Sequence, residues 1–388
     1  MVGGIVAAGL LASCSSSPAP DTSTAKPGTI VSSSPIANSP AGSRGWRIVY
    51  RTTTASGAPA VSAGTVYVPT TPASTKERFV VAWAHPTLGM GSDCTPSRKA
   101  DPAAGIPGFA EMMAAGWVVT STDYTGLGSP GVLPYLVGSG EGRNVIDSVR
   151  AAQNLKGADA GSTYAVWGHS QGGHASLFTA DVARSYGSGL HLVGVAAAAP
   201  AAELSSLISL QWQSVVSWVI GSEVIELWPH FYPSLTPAQV ATPLALKNAK
   251  RLGSICITAD ESALLAKFGP YLTKPFFVSD PAQSPSWRKV MEDNTPSAPT
   301  SIPSFVAQGL EDTVVLPATT AQLEKAWCDK GSKVTVAWYP TATHFSVPTL
   351  SAGSAVTWMG ERFAGKPATD TCGATPPVAP ATNPPPAK

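Results

Sequence analysis

The sequence predicts an α/β fold, namely a doubly wound, mostly parallel β-sheet that carries an inserted helical cap. Apolar runs of strand length alternate with segments of helical periodicity, which is the pattern of successive β-α-β units. Several of these runs are almost continuously apolar, as expected for parallel strands that are buried on both faces. From residue 202 to residue 299 this alternation stops and only helical patterns remain. The strands resume after residue 300, so we interpret the middle segment as an insertion above a single sheet.

The individual elements follow from local patterns. Two strands joined through Ser-Gly-Ala-Pro predict an antiparallel pair at one edge of the sheet. The later strands are apolar runs, and the helices repeat their apolar residues with a period near 3.6. The predicted strands are residues 46–53, 61–68, 78–84, 116–120, 163–167, 190–199, 302–307 and 334–339, and the predicted helices are residues 109–115, 144–155, 171–184, 318–328 and 347–363.

The composition limits the kinds of protein that the chain can be. Its 388 residues suffice for one large α/β domain with an insertion or for two ordinary domains, and 44% of them are apolar, enough for a sizeable core. Only 13% are charged and the formal net charge is +1. Because no basic stripe runs along the chain, the sequence gives no reason to expect a nucleic-acid partner, and it implies no protein partner.

The N-terminus, MVGGIVAAGLLASC, predicts export. Its apolar run is too short to span a bilayer but suits the central region of a secretory signal. The sequence Leu-Ala-Ser-Cys at 11–14 resembles a bacterial lipobox, which implies cleavage before Cys14 and lipid attachment to its sulfur. The alternative is an ordinary signal peptide that happens to contain a cysteine. The Ser- and Pro-rich segment that follows favours a surface-anchored lipoprotein, associated with the membrane through its N-terminal lipid.

The remaining cysteines predict two disulfides. An even number of cysteines in an exported protein favours pairing over free buried thiols, and four cysteines allow three connectivities. None of them has the close spacing of a metal site. The sequence implies neither a metal nor an organic cofactor. These residues are Cys94, Cys256, Cys328 and Cys372.

Composition and pattern together predict six segments. The ends of the chain are rich in Ser, Pro, Thr and Ala, a composition typical of disordered tethers. The segments are a signal peptide with lipobox at 1–14, a disordered tether at 15–45, the first part of the core at 46–201, the helical cap at 202–299, the second part of the core at 300–365 and a Pro-rich tail at 366–388.

The stretch AVWGHSQGGHAS, residues 165–176, predicts a nucleophilic serine. Gly168-His-Ser170-Gln-Gly172 fits the pattern G-x-S-x-G, with a predicted strand before it and a helix after it. Such a turn raises the serine hydroxyl above the sheet, and the glycines let neighbouring backbone approach without a Cβ clash. The alternative is a glycine-rich turn without chemistry, but the strand-turn-helix context favours Ser170 as the nucleophile.

The general base is predicted far along the chain. His169 precedes the serine on the turn, and His174 lies one helical turn beyond it, so we expect both to be packing residues. In folds of this kind the histidine comes from a loop after the last strands, in the chain order Ser, acid, His. His344 follows the strand KVTVAWYP and fits that place.

The acid is expected after the preceding strand. Asp312 lies three residues beyond Gly309 and 32 residues before His344, the position from which a carboxylate can orient the imidazole. Glu311 is the adjacent alternative and is expected to be solvated.

Two backbone N–H groups are needed to stabilise an oxyanion. One is predicted to be that of Gln171, directly after the nucleophile. The other is expected in the loop that follows the strand ending at residue 84, where Pro86 has no N–H and Thr87 or Leu88 is therefore the candidate.

With these residues in place, the chain resembles the α/β-hydrolase fold and, within it, the secretory lipase family of the fungal lipase A type. The resemblance covers roughly residues 46–372. It rests on GHSQGG at 168–173, DYTGLG at 123–128, DCTPS at 93–97, EGRN at 141–144 and the spacing of Asp312 and His344.

The resemblance implies a Ser170–Asp312–His344 triad, a largely helical cap at 202–299, and the disulfides Cys94–Cys256 and Cys328–Cys372. In one respect the sequence departs from the family pattern. Fungal members place an acidic side chain in the oxyanion loop, whereas the nearest acid here, Asp93, stands beside a cysteine.

We therefore expect a serine esterase or lipase that hydrolyses hydrophobic carboxylic esters through an acyl-enzyme, with a small-molecule or lipid ester as substrate. An acyltransferase that uses the same triad is one alternative, and a surface lipoprotein that binds lipid without turnover is another. A peptidase is disfavoured, because the insertion is helical and the sequence contains no propeller-like repeats.

Overall fold

The computed structural model describes residues 25–73, 76–258 and 266–384. Within these ranges nine strands form one sheet in the order β1-β2-β3-β5-β4-β6-β7-β8-β9. The strands are β1 Ile30–Ile36, β2 Ser43–Thr53, β3 Pro59–Pro69, β4 Arg78–Ala84, β5 Val118–Thr122, β6 Ala160–His169, β7 His191–Ala198, β8 Ser304–Gly309 and β9 Val334–Tyr339.

The sheet is antiparallel at one end and parallel elsewhere. β1, β2 and β3 pair antiparallel with one another, and β3 pairs antiparallel with β5. All remaining neighbours pair parallel. The central strands β4 and β5 are almost wholly buried, which explains the long apolar run of β4, whereas β5 buries three hydroxyl side chains after its two valines. The predicted fold class, a doubly wound and mostly parallel sheet with a helical insertion, is confirmed.

Helices cover both faces of the sheet. α2 and α3 pack together against β4 and β6, whereas α1 and α9 contact each other and pack from the other side. The helices of the described chain are α1 Phe109–Ala114, α2 Gly138–Asn154, α3 Gln171–Tyr186, α4 Leu204–Gln211, α5 Val216–Phe231, α6 Pro243–Gly253, α7 Pro285–Asp293, α8 Pro317–Asp329 and α9 Val347–Phe363. In these ranges no helix has both the length and the apolar character needed to cross a membrane.

The segment between β7 and β8 carries α4 to α7 and has its own aromatic core. Trp218, Trp228 and Trp287 are fully buried, and the last two stack with their ring centroids 6.1 Å apart. The indole N–H of Trp228 donates to the carbonyl of Tyr135 at 2.9 Å, which ties this insertion to the sheet domain. These three tryptophan side chains are therefore buried mainly in the core of the insertion itself.

The prediction of a disordered tether through residue 45 is wrong for its described part. Ile30–Ile36 forms β1, which pairs with β2 and displaces β2 from the edge of the sheet. Most of its residues are exposed, and a strand exposed in this way needs no alternating apolar pattern. Pro35 is compatible with this edge position, because an edge strand leaves some N–H groups unpaired.

The C-terminal tail also departs from the expectation of a disordered segment. Residues 366–384 contain no helix or strand, yet they pack along the molecule. The N–H of Thr371 donates to the carbonyl of Val334 at 2.9 Å, and Asn383 accepts hydrogen bonds from Ser206 and Gln322. A Pro-rich segment needs no internal hydrogen bonds, so contacts with other elements suffice to fix it.

Two disulfides join the pairs that the family resemblance implies. Cys94–Cys256 links the loop after β4 to the insertion, with the Cα atoms 5.1 Å apart. Cys328–Cys372 links the end of α8 to the tail, with the Cα atoms 5.4 Å apart. Cys14 and the predicted signal peptide lie outside the described residues.

Removing the second disulfide should destabilise the protein without changing its fold. Cys328 and Cys372 are 44 residues apart in the sequence. In the Cys328→Ser/Cys372→Ser variant this loop is no longer closed, so the unfolded chain gains conformational entropy and the free energy of unfolding should fall by about 4 kcal/mol. Denaturant unfolding measures this loss. Reductant added to the wild type breaks both disulfides and should lower stability further, and a loss below about 1 kcal/mol in the variant would contradict the prediction.

Candidate active site

The site is built on the sharp turn between β6 and α3. Ser170 occupies this turn with φ 56° and ψ −116°, a backbone conformation that non-glycine residues rarely adopt. Its N–H donates to the carbonyl of Ala198 at 2.9 Å, and its own carbonyl accepts from the N–H of His174 at 2.9 Å. These bonds to β7 and α3 hold a conformation that costs about 1–3 kcal/mol in isolation.

Two glycines make the turn sterically feasible. A Cβ at Gly172 would lie 1.9 Å from the carbonyl oxygen of Ala84 at the end of β4. A Cβ at Gly168 would lie 2.0 Å from the carbonyl oxygen of Gly172. Since real Cβ atoms do not approach backbone so closely, both positions exclude any larger residue.

The structure brings Ser170, His344 and Asp312 together in one hydrogen-bonded series. His344 Nε2 lies 2.9 Å from Ser170 Oγ, and His344 Nδ1 lies 2.8 Å from Asp312 Oδ2. All three side chains are buried. The series matches the arrangement in which a carboxylate fixes an imidazole so that its other nitrogen accepts a hydroxyl proton.

Asp312 is held by backbone as well as by the histidine. Its Oδ1 accepts from the N–H groups of Val314 and Val315, both at 2.8 Å. Its neighbour Glu311 is exposed and uses its backbone N–H to bond the carbonyl of Ala342. Asp312, rather than Glu311, therefore faces the imidazole.

Neither histidine next to the serine reaches the serine hydroxyl. His169 Nε2 lies 3.0 Å from the carbonyl of His344, and the two rings pack with centroids 4.7 Å apart. Burial, together with the neighbouring His344, holds the pKa of His169 well below its usual range. A neutral His169 donates to that carbonyl and so supports the loop that carries His344. His174 points away and bonds Glu141 and the carbonyl of Asn294, both at 2.8 Å.

The loop after β4 supplies the opposite wall of the site. Gln171 is the first residue of α3, so its N–H has no acceptor within the helix. Thr87 lines the same cavity as Ser170 and Gln171, and its hydroxyl lies 3.1 Å from that of Tyr135. The carbonyl of Leu88 accepts from the N–H of Ile257 in the insertion at 3.0 Å, and Leu88 is not among the residues that line the cavity.

The motifs DYTGLG and DCTPS meet beside this loop. Buried Asp123 accepts from the N–H of Ser97 at 3.0 Å and from its hydroxyl. Burial raises the pKa of Asp123 to about 6, although its hydrogen bonds with Ser97 oppose the rise. Asp93, the nearest acid in the sequence, is exposed. Asp93 is therefore in contact with solvent, whereas Asp123 is the buried acid beside this loop.

An apolar cavity leads from Ser170 into the insertion. Ser170, Gln171 and Thr87 line it, and helices α4, α5 and α7 provide a mostly apolar wall that also includes Gln211 and Ser217. Residues of this wall include Leu204, Ile208, Ile220, Trp287 and Met291. A cavity of this composition suits a hydrophobic chain whose polar end lies at the serine.

Glu141 and Asn294 lie next to the site, although the sequence predicts no role for either. Glu141 stands out in the sequence only as part of EGRN, and Asn294 carries no local signal. Both become visible through their contacts with Gln171 and His174.

The secretory lipase family model matches residues 108–371. A Mycobacterium tuberculosis protein named "Probable inactive lipase" is 27% identical over 341 residues, covering 84% of this chain and 74% of that protein. Lipase 6 of Candida albicans is 25% identical over 385 residues, covering 90% of this chain and 81% of that protein.

Solved structures establish the α/β-hydrolase fold. Candida antarctica lipase A in its closed state superposes with a TM-score of 0.72 at 19% identity, covering 94% of this chain and 88% of that one. A rice cell wall degrading esterase from Xanthomonas oryzae superposes with a TM-score of 0.70 at 22% identity, covering 88% of this chain and 99% of that one. At these identities the likeness concerns the fold alone.

Gly172→Ala should destabilise the protein by about 3 kcal/mol, because its Cβ would collide with the carbonyl of Ala84. Gly353→Ala is the matched control: this exposed glycine of α9 leaves open space where a Cβ would stand, with no other atom within 4 Å, so alanine should add about 0.5–1 kcal/mol. Denaturant unfolding compares the two variants. Equal stabilities would show that the turn tolerates a side chain.

Proposed function

This chain belongs to the secretory lipase family, and we propose that it hydrolyses carboxylic esters of hydrophobic acids through an acyl-enzyme on Ser170. The observation that carries this proposal is the series Ser170–His344–Asp312, with hydrogen bonds of 2.9 and 2.8 Å, whose serine lines an apolar cavity. The family model and the lipase relatives support an ester hydrolase.

Acylation uses His344 twice. Ser170 Oγ attacks the ester carbonyl carbon while His344 Nε2 accepts the hydroxyl proton. The tetrahedral intermediate then collapses, and His344 returns this proton to the alcohol oxygen as the C–O bond breaks. The alcohol leaves and the acyl group remains on Ser170. Water, deprotonated by His344, attacks the acyl-enzyme, and His344 returns this proton to Ser170 Oγ as the bond to the acyl group breaks and the acid leaves.

The negative oxygen of each tetrahedral intermediate needs fixed donors. The N–H of Gln171 at the start of α3 is one, and the positive end of the α3 dipole favours the same charge. Thr87 is the better of the two candidates for the second donor, since it lines the cavity with Ser170 and Leu88 does not.

The substrate class follows from the cavity. Burial of an acyl chain against its apolar wall favours binding by about 0.8 kcal/mol for each buried CH₂ group. A polar acyl chain would lose its hydration there without gaining hydrogen bonds. We therefore propose a lipid or another hydrophobic ester as the substrate.

Export and membrane anchoring complete the proposal. The two disulfides suit an oxidising compartment, and two Malassezia relatives named as secreted triacylglycerol lipases support export. The lipid on Cys14 remains a prediction from the sequence.

A second candidate is a lipid-binding protein without turnover. It is favoured by the relative whose name describes an inactive lipase. The hydrogen-bonded series at Ser170 opposes it, since binding alone needs no imidazole against a strained serine. Transfer of the acyl group to an alcohol instead of water would use the same residues and differs only in its product.

Ser170→Ala should abolish ester hydrolysis, with kcat lower by at least about 10⁴-fold. Wild type and variant are assayed on esters of increasing acyl length, with product analysis in the presence of an acceptor alcohol, and are treated with a serine-reactive phosphonate. Ser176→Ala is the matched control, because this buried hydroxyl of α3 bonds only the carbonyl of Ala196 among described residues. If the wild type neither hydrolyses esters nor reacts with the phosphonate, the enzyme proposal fails and lipid binding is the function that remains. If the Ser170→Ala variant is still labelled by the phosphonate, the nucleophile is a different residue.

Asp312→Asn should lower kcat by about 10⁴-fold with little effect on folding. The amide oxygen can still accept from Val314 and Val315, but the amide N–H would face His344 Nδ1 and force the proton onto Nε2. His344 could then no longer accept the serine proton. Steady-state kinetics measures the effect, with Glu311→Gln as the exposed neighbouring control. Similar losses in both variants would contradict the assignment of Asp312.

A further inference from the structure

A buried carboxylate lies directly behind the proposed oxyanion donor. Glu141, near the start of α2, has no exposed surface. Its Oε1 accepts from the side-chain amide of Gln171 at 2.8 Å and from the N–H of Leu136 at 3.0 Å. The side chain of Gln171 is thereby fixed while its backbone N–H stays available for the oxyanion.

His174 braces this carboxylate from the other side. Its Nδ1 lies 2.8 Å from Glu141 Oε2, and its Nε2 lies 2.8 Å from the carbonyl of Asn294. A carbonyl only accepts, so Nε2 must carry a proton. A second proton then lies between Nδ1 and the carboxylate, and the pair has no net charge whichever atom holds it. This neutrality explains how two ionisable side chains remain fully buried.

The pair is also tied to the insertion. Asn294 follows α7, and its side-chain oxygen accepts from the N–H of Gly138 at 3.0 Å, at the start of α2. Its amide N–H donates to the hydroxyl of Tyr232, just beyond α5, at 2.7 Å. The start of α2, the end of α5 and the end of α7 therefore meet beside His174 and Glu141. These contacts restrict the movement of the pair relative to Ser170.

Resting on the proposed function, we propose that Glu141, braced by His174, is a positioning residue that acts through the side chain of Gln171 to aim the Gln171 N–H at the oxyanion. The peptide between Ser170 and Gln171 belongs to a strained turn, and Gly172 beyond it has no side chain to anchor it. The bond from Gln171 to Glu141 supplies that anchor. Loss of a whole oxyanion donor costs about 10²–10³-fold in kcat, so loss of its alignment should cost somewhat less.

A double-mutant cycle tests whether Glu141 acts through Gln171. Glu141→Ala should lower kcat by about 10–100-fold and change KM by less than about 3-fold, because the oxyanion forms only during reaction. Gln171→Ala keeps the backbone N–H but loses the anchor, so its kcat should fall by a similar factor. The double variant should then be no slower than Glu141→Ala alone. Losses that multiply in the double variant would overturn the proposal.

Glu141→Gln provides rescue. Its amide oxygen can accept from Gln171 and Leu136, and its N–H can donate to Nδ1 of a neutral His174 that keeps its proton on Nε2. We expect kcat within about 5-fold of the wild type, well above that of Glu141→Ala. A Glu141→Gln variant as slow as Glu141→Ala would contradict the positioning role.

Asp147 is the matched structural control on the same helix. Its buried carboxylate accepts from Thr52 at 2.8 Å, Tyr186 at 2.7 Å and Arg150 at 2.7 Å, away from Gln171. Asp147→Ala should lower the free energy of unfolding while kcat stays within about 2-fold. A loss of kcat equal to that of Glu141→Ala would mean that any damage to α2 slows the reaction, and would overturn the proposal.

The cycle also separates the two proposals. A wild-type protein that hydrolyses no ester contradicts the proposed function and the positioning role with it, whereas multiplying losses in an active enzyme contradict the positioning role alone. If Glu141→Ala does not fold, the other two variants test the positioning role. Gln171→Ala must then lower kcat without changing KM, and Glu141→Gln must keep kcat close to the wild-type value.

Discussion

The backbone conformation at Ser170 is the constraint on which the rest of the site depends. A positive φ at a serine persists only when the surrounding structure fixes the chain on both sides. Here β6 enters the turn between β4 and β7, and α3 leaves it with Gly172 pressed against the carbonyl of Ala84. The position of the serine hydroxyl therefore depends on the packing of the neighbouring strands. The same close approach sets the start of α3, and with it the direction of the N–H of Gln171.

The parallel half of the sheet brings together residues that are distant in sequence. In a parallel sheet all strands end at one edge, so the loops after β6, β8 and β9 meet there. Ser170 follows the first of these strands, Asp312 the second and His344 the third. One strand, β7, separates β6 from β8, and its last residues bond the backbone of the serine turn. Distances of 2.9 and 2.8 Å between the three side chains result from this order, together with the His169 contact beneath the His344 loop.

The sequence predicts what depends on local pattern and topological order, and misses what depends on contacts between distant segments. The strand-turn-helix around Ser170 is local, and His344 and Asp312 follow from their places after successive strands. β1 has no apolar alternation because most of it is exposed, so its Ser-rich sequence resembles a tether. Glu141 and His174 are 33 residues apart, and Asn294 lies a further 120 residues along the chain. Such a network has no sequence period, and only the packing of α2, α3 and the insertion makes it recognisable.

The fold and the proposed turnover depend on different parts of this molecule, so a relative of similar sequence can be named as an inactive lipase. The fold rests on the buried sheet, the helices on its two faces and the aromatic core of the insertion. None of these needs the hydroxyl of Ser170 or the imidazole of His344. The polar groups at the strand ends, by contrast, contribute little to burial but must be aligned within a fraction of an ångström for catalysis. A polar substitution there can stop the chemistry while leaving the cavity intact for a hydrophobic ligand. The geometry of Ser170, His344 and Asp312, rather than the fold, is therefore what argues for turnover in this chain.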